Sequence, residues 1–269
     1  METKVVLITG GSSGIGKTIG TYLKSEGFKV YGTTRSLAKY PNFEAFPLLE
    51  MDVRSPEGIK QAVATLIGQE GRLDVLINNA GVGITGPLEE TPEEEIMNAF
   101  ATNFHGPLQV IKAVLPQMRE QGGGLIINIT SIAAYMGLPF RGVYSASKAA
   151  LEVITEALRM ETKDFGIAIT NLAPGAYATN IAAGRFHVER AEHSPYAEQY
   201  RKALIGIDES VEQGEDPIGV AKKVSMIINE KNPKIHYRVG AFSQKLSIVL
   251  KKILPQKVFE KILLNHYKL

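Results

Sequence analysis

Cysteine is absent from all 269 residues, which excludes disulfides, thiolate catalysis and cysteine-ligated zinc. Missing too is any apolar run near the ~18 residues that a membrane-spanning helix needs. The apolar run at residues 5–8 stops at Thr9-Gly10, too early for the core of a secretory signal. Neither sign of charge is in excess: 30 Lys and Arg against 28 Asp and Glu leave +2, too near neutral for a nucleic-acid or polyanion binder. There is no internal repeat and no low-complexity tract. What is present is 44% hydrophobic and 22% charged, the composition of a soluble globular protein with one sizeable core, compatible with the cytoplasm.

Strand and helix patterns alternate along the chain. Residues 4–9 form a β-branched apolar run suited to a strand buried on both faces. It leads into Gly10-Gly11-Ser12-Ser13-Gly14-Ile15-Gly16 and a helical pattern over 17–26. Glycines at such a turn let phosphate oxygens approach backbone amides at the positive end of a helix. A second strand, 27–34, ends at Arg35, and no acid occupies residues 33–39. In a dinucleotide fold an acid there holds the ribose 2′-hydroxyl, whereas an arginine accommodates a 2′-phosphate, so NADP(H) is favoured over NAD(H). Further strands are predicted at 45–51, 73–77, 125–130 and 167–172. Helices are predicted at 55–69, in two pieces over 91–121 with Asn103 near their join, and at about 144–165. Ser55-Pro56 and Thr91-Pro92 carry capping chemistry at two of these starts. The alternation predicts an α/β, Rossmann-like doubly wound parallel sheet of about seven strands, with helices on both faces. One catalytic domain spans about 1–240, and 241–269 forms a C-terminal helical extension of it.

The chemistry is expected at Ser131, Tyr144 and Lys148. Lys148 follows Tyr144 by four residues and lies one helical turn along the same face. A neighbouring ammonium favours the phenolate and makes a tyrosine useful for general acid/base work. Ser131, at a strand's C-terminal end, is positioned to hydrogen-bond a substrate oxygen. Alone, a Tyr and a Lys at this spacing are an ordinary exposed helix pair.

In company, the residues resemble the short-chain dehydrogenase/reductase family in its single-domain branch. The motifs fall in order over about 4–240: Thr9-Gly10-xxx-Gly14-x-Gly16, Asp52, Asn78-Asn79-Ala80-Gly81, Asn103, Ser131, Tyr144-xxx-Lys148 and Pro174-Gly175-xxx-Thr179. The resemblance implies that Gly10, Ser12, Ser13, Gly14, Ile15 and Gly16 wrap the pyrophosphate and adenosine ribose. It implies that Asp52 and Val53 flank the adenine, and that Asn79, Ala80 and Gly81 line the nucleotide. Lys148 would bind the nicotinamide ribose as well as tune Tyr144, Asn103 would hold a water linking Lys148 to solvent, and Pro174, Gly175 and Thr179 would hold the carboxamide. The implied activity is hydride exchange between NADP(H) and a carbonyl or alcohol, with Ser131 and Tyr144 holding the substrate. One departure is Ser13, where many NADP-preferring relatives carry a basic residue. A homodimer or homotetramer is the common state in such a family. The alternative is a non-catalytic NADP(H)-sensing regulatory or scaffold protein on the same fold.

Two regions bear on the substrate. Residues 180–210 break the alternation at Gly184, Pro195 and Gly206, and the resemblance implies that this segment forms a flap over it. His187 and His193 lie there with Glu189 and Glu192, but a six-residue separation sets two rings about 240° apart on a helix, so no metal site is expected. Tyr135, Met136, Leu138 and Phe140 offer an apolar wall or mere local packing; a wall would suit a lipophilic substrate, and the resemblance to relatives with C-terminal extensions implies a lipid-, steroid- or retinoid-like one. In the tail, Leu246, Val249, Leu250, Ile253 and Leu254 form an amphipathic stripe, Pro255 ends it, and a second helix carries Val258, Phe259, Ile262 and Leu263. With six lysines to one glutamate over 242–269, this tail suits peripheral contact with an anionic membrane, or packing on its own domain or a second subunit.

Overall fold

The structure, a computed structural model, describes residues 3–177, 184–189 and 193–269. From the N-terminus, β1 (Val5–Ile8), α1 (Gly14–Ser25), β2 (Lys29–Thr34), β3 (Leu48–Glu50), α2 (Pro56–Glu70) and β4 (Val75–Asn78) build the first half. After a two-residue strand, β5 (Ile84–Thr85), α3 (Glu93–Phe100) and α4 (Gly106–Glu120) are joined by one π-helical turn, Ala101–His105. There follow β6 (Gly124–Ile129), α5 (Gly142–Glu161), β7 (Ile167–Pro174), β8 (Phe186–His187), α6 (Ala197–Glu212), α7 (Ile218–Asn229), β9 (His236–Val239), α8 (Phe242–Ile253) and α9 (Gln256–Tyr267).

Seven strands pair in the order β3-β2-β1-β4-β6-β7-β9, every neighbour parallel. The chain leaves β1 towards one edge and returns to β4 to build towards the other, so a crevice opens where β1 and β4 end. The pleat of β1 sorts the two cores. Val6 and Ile8 face Ile19 and Leu23 of α1 and Val220 and Val224 of α7, while Val5 and Leu7 face Ile59 and Leu66 of α2 and Val110 and Val114 of α4. Successive strand residues point to opposite faces, and both faces are covered, which is why these strands read as unbroken apolar runs.

The doubly wound α/β expectation holds, with differences at several ends. The third strand is three residues rather than seven, and α5 begins at Gly142, two residues ahead of Tyr144. Ser55 caps α2 as expected, its Oγ accepting from Gly58 N at 3.2 Å. Thr91 does not cap α3: its hydroxyl donates back to Pro87 O at 2.7 Å, and Pro92 holds the cap position. Part of the stretch expected to be irregular is α6, which runs through Gly206 because Tyr200, Ala203, Leu204 and Ile207 share a buried stripe.

Candidate active site

The rims of β1 and β4 are bolted together by side chains. Thr9 Oγ1 accepts from Asn79 N at 3.0 Å and Ala80 N at 2.9 Å, and Asn79 Nδ2 donates to Thr9 O and Gly10 O. Gly10 turns at φ +64, where side chains are disfavoured. A Cβ on Gly16 would lie 2.3 Å from Gly10 O, so α1 can start this close to the turn only with glycine there. Ser13 occupies the cap position of α1 without a side-chain hydrogen bond, and no acid lies in the first turn. The amides of that turn are thus left for an anion, as a dinucleotide pyrophosphate requires. Ser12 is buried in this turn, and Ile15 packs back on the core, leaving its main chain to face the crevice.

Beside the turn lies a cleft of about 710 Å³ lined by Ser12, Ser13, Gly14, Lys17, Lys39 and Phe43, among others. Arg35 is exposed at the end of β2. Arg54 pairs with Asp52 at 2.9 Å and, with a smaller contribution from Arg35, holds its carboxyl below the usual range. Val53 is buried against Gly106. Lys17 and Lys39 thus join Arg35 as cations near this end, which reading the glycine turn alone did not reveal.

At the other end Tyr144 and Lys148 are both buried, on one face of α5. Burial pushes the Lys148 ammonium below its ordinary pKa, against the opposing effects of Tyr144 and Glu152. Among the described residues its sole acceptor is Ile129 O at 2.9 Å, so the remaining N–H groups of a three-donor ammonium suit ribose hydroxyls. A Cβ on Gly81 would sit 3.1 Å from Asn103 Oδ1 and 3.3 Å from Lys148 Nζ, so both side chains converge on that glycine. Asn103 lies in the π-helical turn and is fully buried. Its amide is spent on Val82 N and O and on Ser147 Oγ, which in turn donates to Tyr144 O. Ser131 opens a short 3-10 turn, and its Oγ accepts from Ala133 N at 3.1 Å, which leaves its proton to donate. Ala133 packs on Tyr144. Pro174 ends β7, and Gly175 N donates to Val239 O while Gln244 of α8 presses against Gly175 and accepts from Ala176 N. Thr179 lies outside the described residues.

The helical face carrying Tyr144 and Lys148 continues to Glu152, also buried. Thr130 Oγ1 donates to its carboxylate, as do Tyr135 OH at 3.0 Å and Asn171 Nδ2 at 3.2 Å. His236 Nδ1 lies 2.8 Å from the same carboxylate, and its Nε2 lies 3.1 Å from Glu156. Burial, reinforced by Glu152, pushes the Tyr135 hydroxyl up. The helical period alone would have placed Glu152 beside Lys148; no motif pointed to it.

The expected apolar wall divides. Leu138 and Phe140 line a cleft of about 350 Å³ with Ile84, Leu88, Val143 and Tyr196, and Ile84, Leu138 and Val143 pack in the cluster around Tyr144. Phe140 holds φ +57, a strained position for a bulky residue. Tyr135 and Met136 instead pack on Ile248 and Phe259 of the C-terminal helices. Two arginines without a sequence signal complete this end. The Arg141 guanidinium lies 5.2 Å over the Tyr144 ring, and buried Arg185 pairs with Asp208 at 2.9 Å. His187 Nδ1 meets Thr85 Oγ1 at 3.0 Å, and among the described residues no cluster of His, Asp or Glu could hold a metal ion.

Residues 4–190 match the family model described as short chain dehydrogenase. A protein of Bacteroides thetaiotaomicron named 3-ketodihydrosphingosine reductase is 38% identical, the alignment covering 97% of this chain and 96% of that protein. A short-chain dehydrogenase from Streptomyces avermitilis shares the fold at a TM-score of 0.81 and 31% identity over 97% of this chain and 98% of its own. ElxO, solved with NADP bound, does so at 0.72 and 27% identity over 88% and 97%. With family, fold and a crevice shaped for a dinucleotide in agreement, the chain belongs to the short-chain dehydrogenases/reductases, oxidoreductases that exchange hydride between a nicotinamide cofactor and a C=O/CH–OH pair.

Proposed function

We propose that this oxidoreductase prefers NADP(H) to NAD(H), acts on a lipophilic carbonyl or its alcohol, and uses Tyr144 as general acid/base. The observation that carries the reading is the buried Tyr144–Lys148 pair of α5, whose lysine converges with Asn103 on Gly81, beside an apolar cleft. The bound dinucleotide supplies or accepts the hydride. Ser131 donates its free proton to the substrate oxygen and orients it. Tyr144 passes a proton to that oxygen in reduction and takes it back in oxidation. Lys148 holds positive charge beside the phenol and donates to the nicotinamide ribose. Because the Asn103 side chain is committed to Val82 and Ser147, a water linking Lys148 to solvent falls to the main chain of the π-helical turn.

For the cofactor, Gly10, Ser12, Ser13, Gly14, Ile15 and Gly16 hold the pyrophosphate side through their amides and hydroxyls. Asp52 and Val53 border the adenine, Asn79, Ala80 and Gly81 line the middle, and Pro174 and Gly175 receive the carboxamide. Arg35, helped by Lys39, favours the 2′-phosphate. The lipophilic assignment is supported by the Leu138 and Phe140 wall and by the long-chain base, dihydrosphingosine, in the name of the Bacteroides relative.

NADPH and NADH consumption against 3-ketodihydrosphingosine, steroid ketones, retinaldehyde and short water-soluble ketones tests this directly. Tyr144→Phe should lower turnover by about 10²–10⁴-fold with cofactor affinity nearly unchanged. Retained turnover in that variant would sink the assignment, and a preference for short polar ketones would sink the lipophilic one.

A further inference from the structure

The C-terminal helices turn two different faces to their surroundings. Inward, Ile248 and Phe259 are buried against Ile132 and Met136, and Tyr267 against Ala203 and Ile207, with Leu138 packed at both places. Outward, Phe242 (77% exposed), Leu246 (38%), Val249 (45%) and Ile253 (68%) of α8 recur at i, i+4, i+7 and i+11. That spacing aligns them in one stripe along the helix, on the side away from Ile248. Lys245 and Lys252 run along one edge of the stripe. Val258 and Ile262 of α9 are also exposed, with Lys257 and Lys261 beside them. Four large apolar side chains in one exposed line are more than scattered surface apolars.

We propose that this outward face of α8 and α9 docks on an anionic lipid bilayer. Charge chooses the occupant. Residues 242–269 carry six lysines and one glutamate. A two-fold contact between copies would set Lys245, Lys252, Lys257 and Lys261 against their own copies, with Glu260 the one carboxylate side chain of these helices to answer them. An anionic leaflet supplies that negative charge, and its acyl boundary takes up the apolar stripe. Among the described residues no helix is long and apolar enough to cross a membrane, so the contact is interfacial. The inward face gives the docking a consequence. Leu138 belongs both to the wall of the cleft beside Tyr144 and to the clusters beneath α8 and α9, so docking sets the cleft about one helix diameter, ~10 Å, from the bilayer. Docking then brings the cleft close to a membrane pool of lipid ketone; this last step rests on the lipophilic-substrate reading, whereas the docking does not.

The test is co-sedimentation of the full chain with vesicles of phosphatidylcholine alone or mixed with phosphatidylserine, alongside size-exclusion chromatography and NADPH turnover of a water-soluble ketone. The wild type should sediment with the mixed vesicles only, and less as salt rises. Lys245→Gln with Lys252→Gln should weaken binding by about 25-fold, and Phe242→Glu with Ile253→Glu should abolish it, with elution volume and soluble-ketone turnover unchanged. Failure of the wild type to bind mixed vesicles, undiminished binding by the Glu pair, or a smaller assembly in the Glu pair, which would mean that a second copy covers the face, would each overturn the docking. Absence of turnover of 3-ketodihydrosphingosine as well as of the soluble ketone, with vesicle binding intact, would count against the proposed substrate alone and leave the docking standing.

Discussion

Burial drives the Lys148 ammonium towards its neutral form, and the charge of Glu152, one turn further along α5, works against that. Glu152→Gln keeps an acceptor for Tyr135 and Thr130 but removes the charge, so Lys148 should lose its proton at a lower pH. If the protonated lysine is the working form, the alkaline limb of kcat/KM for reduction shifts to lower pH, which a pH profile of the variant reads directly. An unmoved limb would confine Glu152 to a packing role. On the proposed reading, cofactor choice turns on Arg35 at the end of β2. Replacing it by Asp removes a charged hydrogen-bond donor and adds an acid suited to a 2′-hydroxyl. The kcat/KM for NADPH should fall by about 10–100-fold while that for NADH rises or holds. Equal losses with both cofactors would mean that Arg35 serves the local fold. Single residues were legible where a local motif marks them, as with Ser131, Tyr144 and Lys148. Arg185 and His236 were not, because contacts with Asp208 and Glu152 that lie far away in the chain decide what they do.

At the scale of elements, the strands ending at the crevice were readable because each is buried on both faces and so is apolar throughout. The short ribbon of β5 and β8 was not, since two residues per strand carry no period. The helix α6 hid behind Pro195 and Gly206, although Pro195 precedes it and its buried stripe tolerates the glycine. On the proposed reading, the strand β1, its turn and α1 act as one element for cofactor binding. Gly16→Ala puts a methyl carbon 2.3 Å from the Gly10 carbonyl, which cannot yield without moving the turn. The variant should lose about 1–3 kcal/mol of stability and bind NADPH more than about tenfold more weakly, as melting and fluorescence titration would measure. Normal affinity would mean that the pyrophosphate does not rest on this turn.

Across the whole molecule, the tail pattern was read as amphipathic from Leu246, Val249, Leu250, Ile253 and Leu254, yet only Leu250 and Leu254 of that stripe help to pack the core. Ile248, outside the stripe, is the buried anchor, because the helix is oriented by Gln244 against Gly175 and by the Ile132–Met136 surface, neither visible in the tail itself. This coupling makes a residue over a hundred positions from Ser131 matter to it. Phe259 is almost fully buried against the segment that follows Ser131. Phe259→Ala should cost about 3–5 kcal/mol of packing, and the strain would fall on Ile132 and Met136 rather than on the glycine turn. Thermal midpoint and kcat should therefore drop together while NADPH affinity holds, since Phe259 packs on Ile132 and Met136 and not on the glycine turn. A lowered midpoint with kcat unchanged would mean that the C-terminal helices stabilise the fold without steadying Ser131.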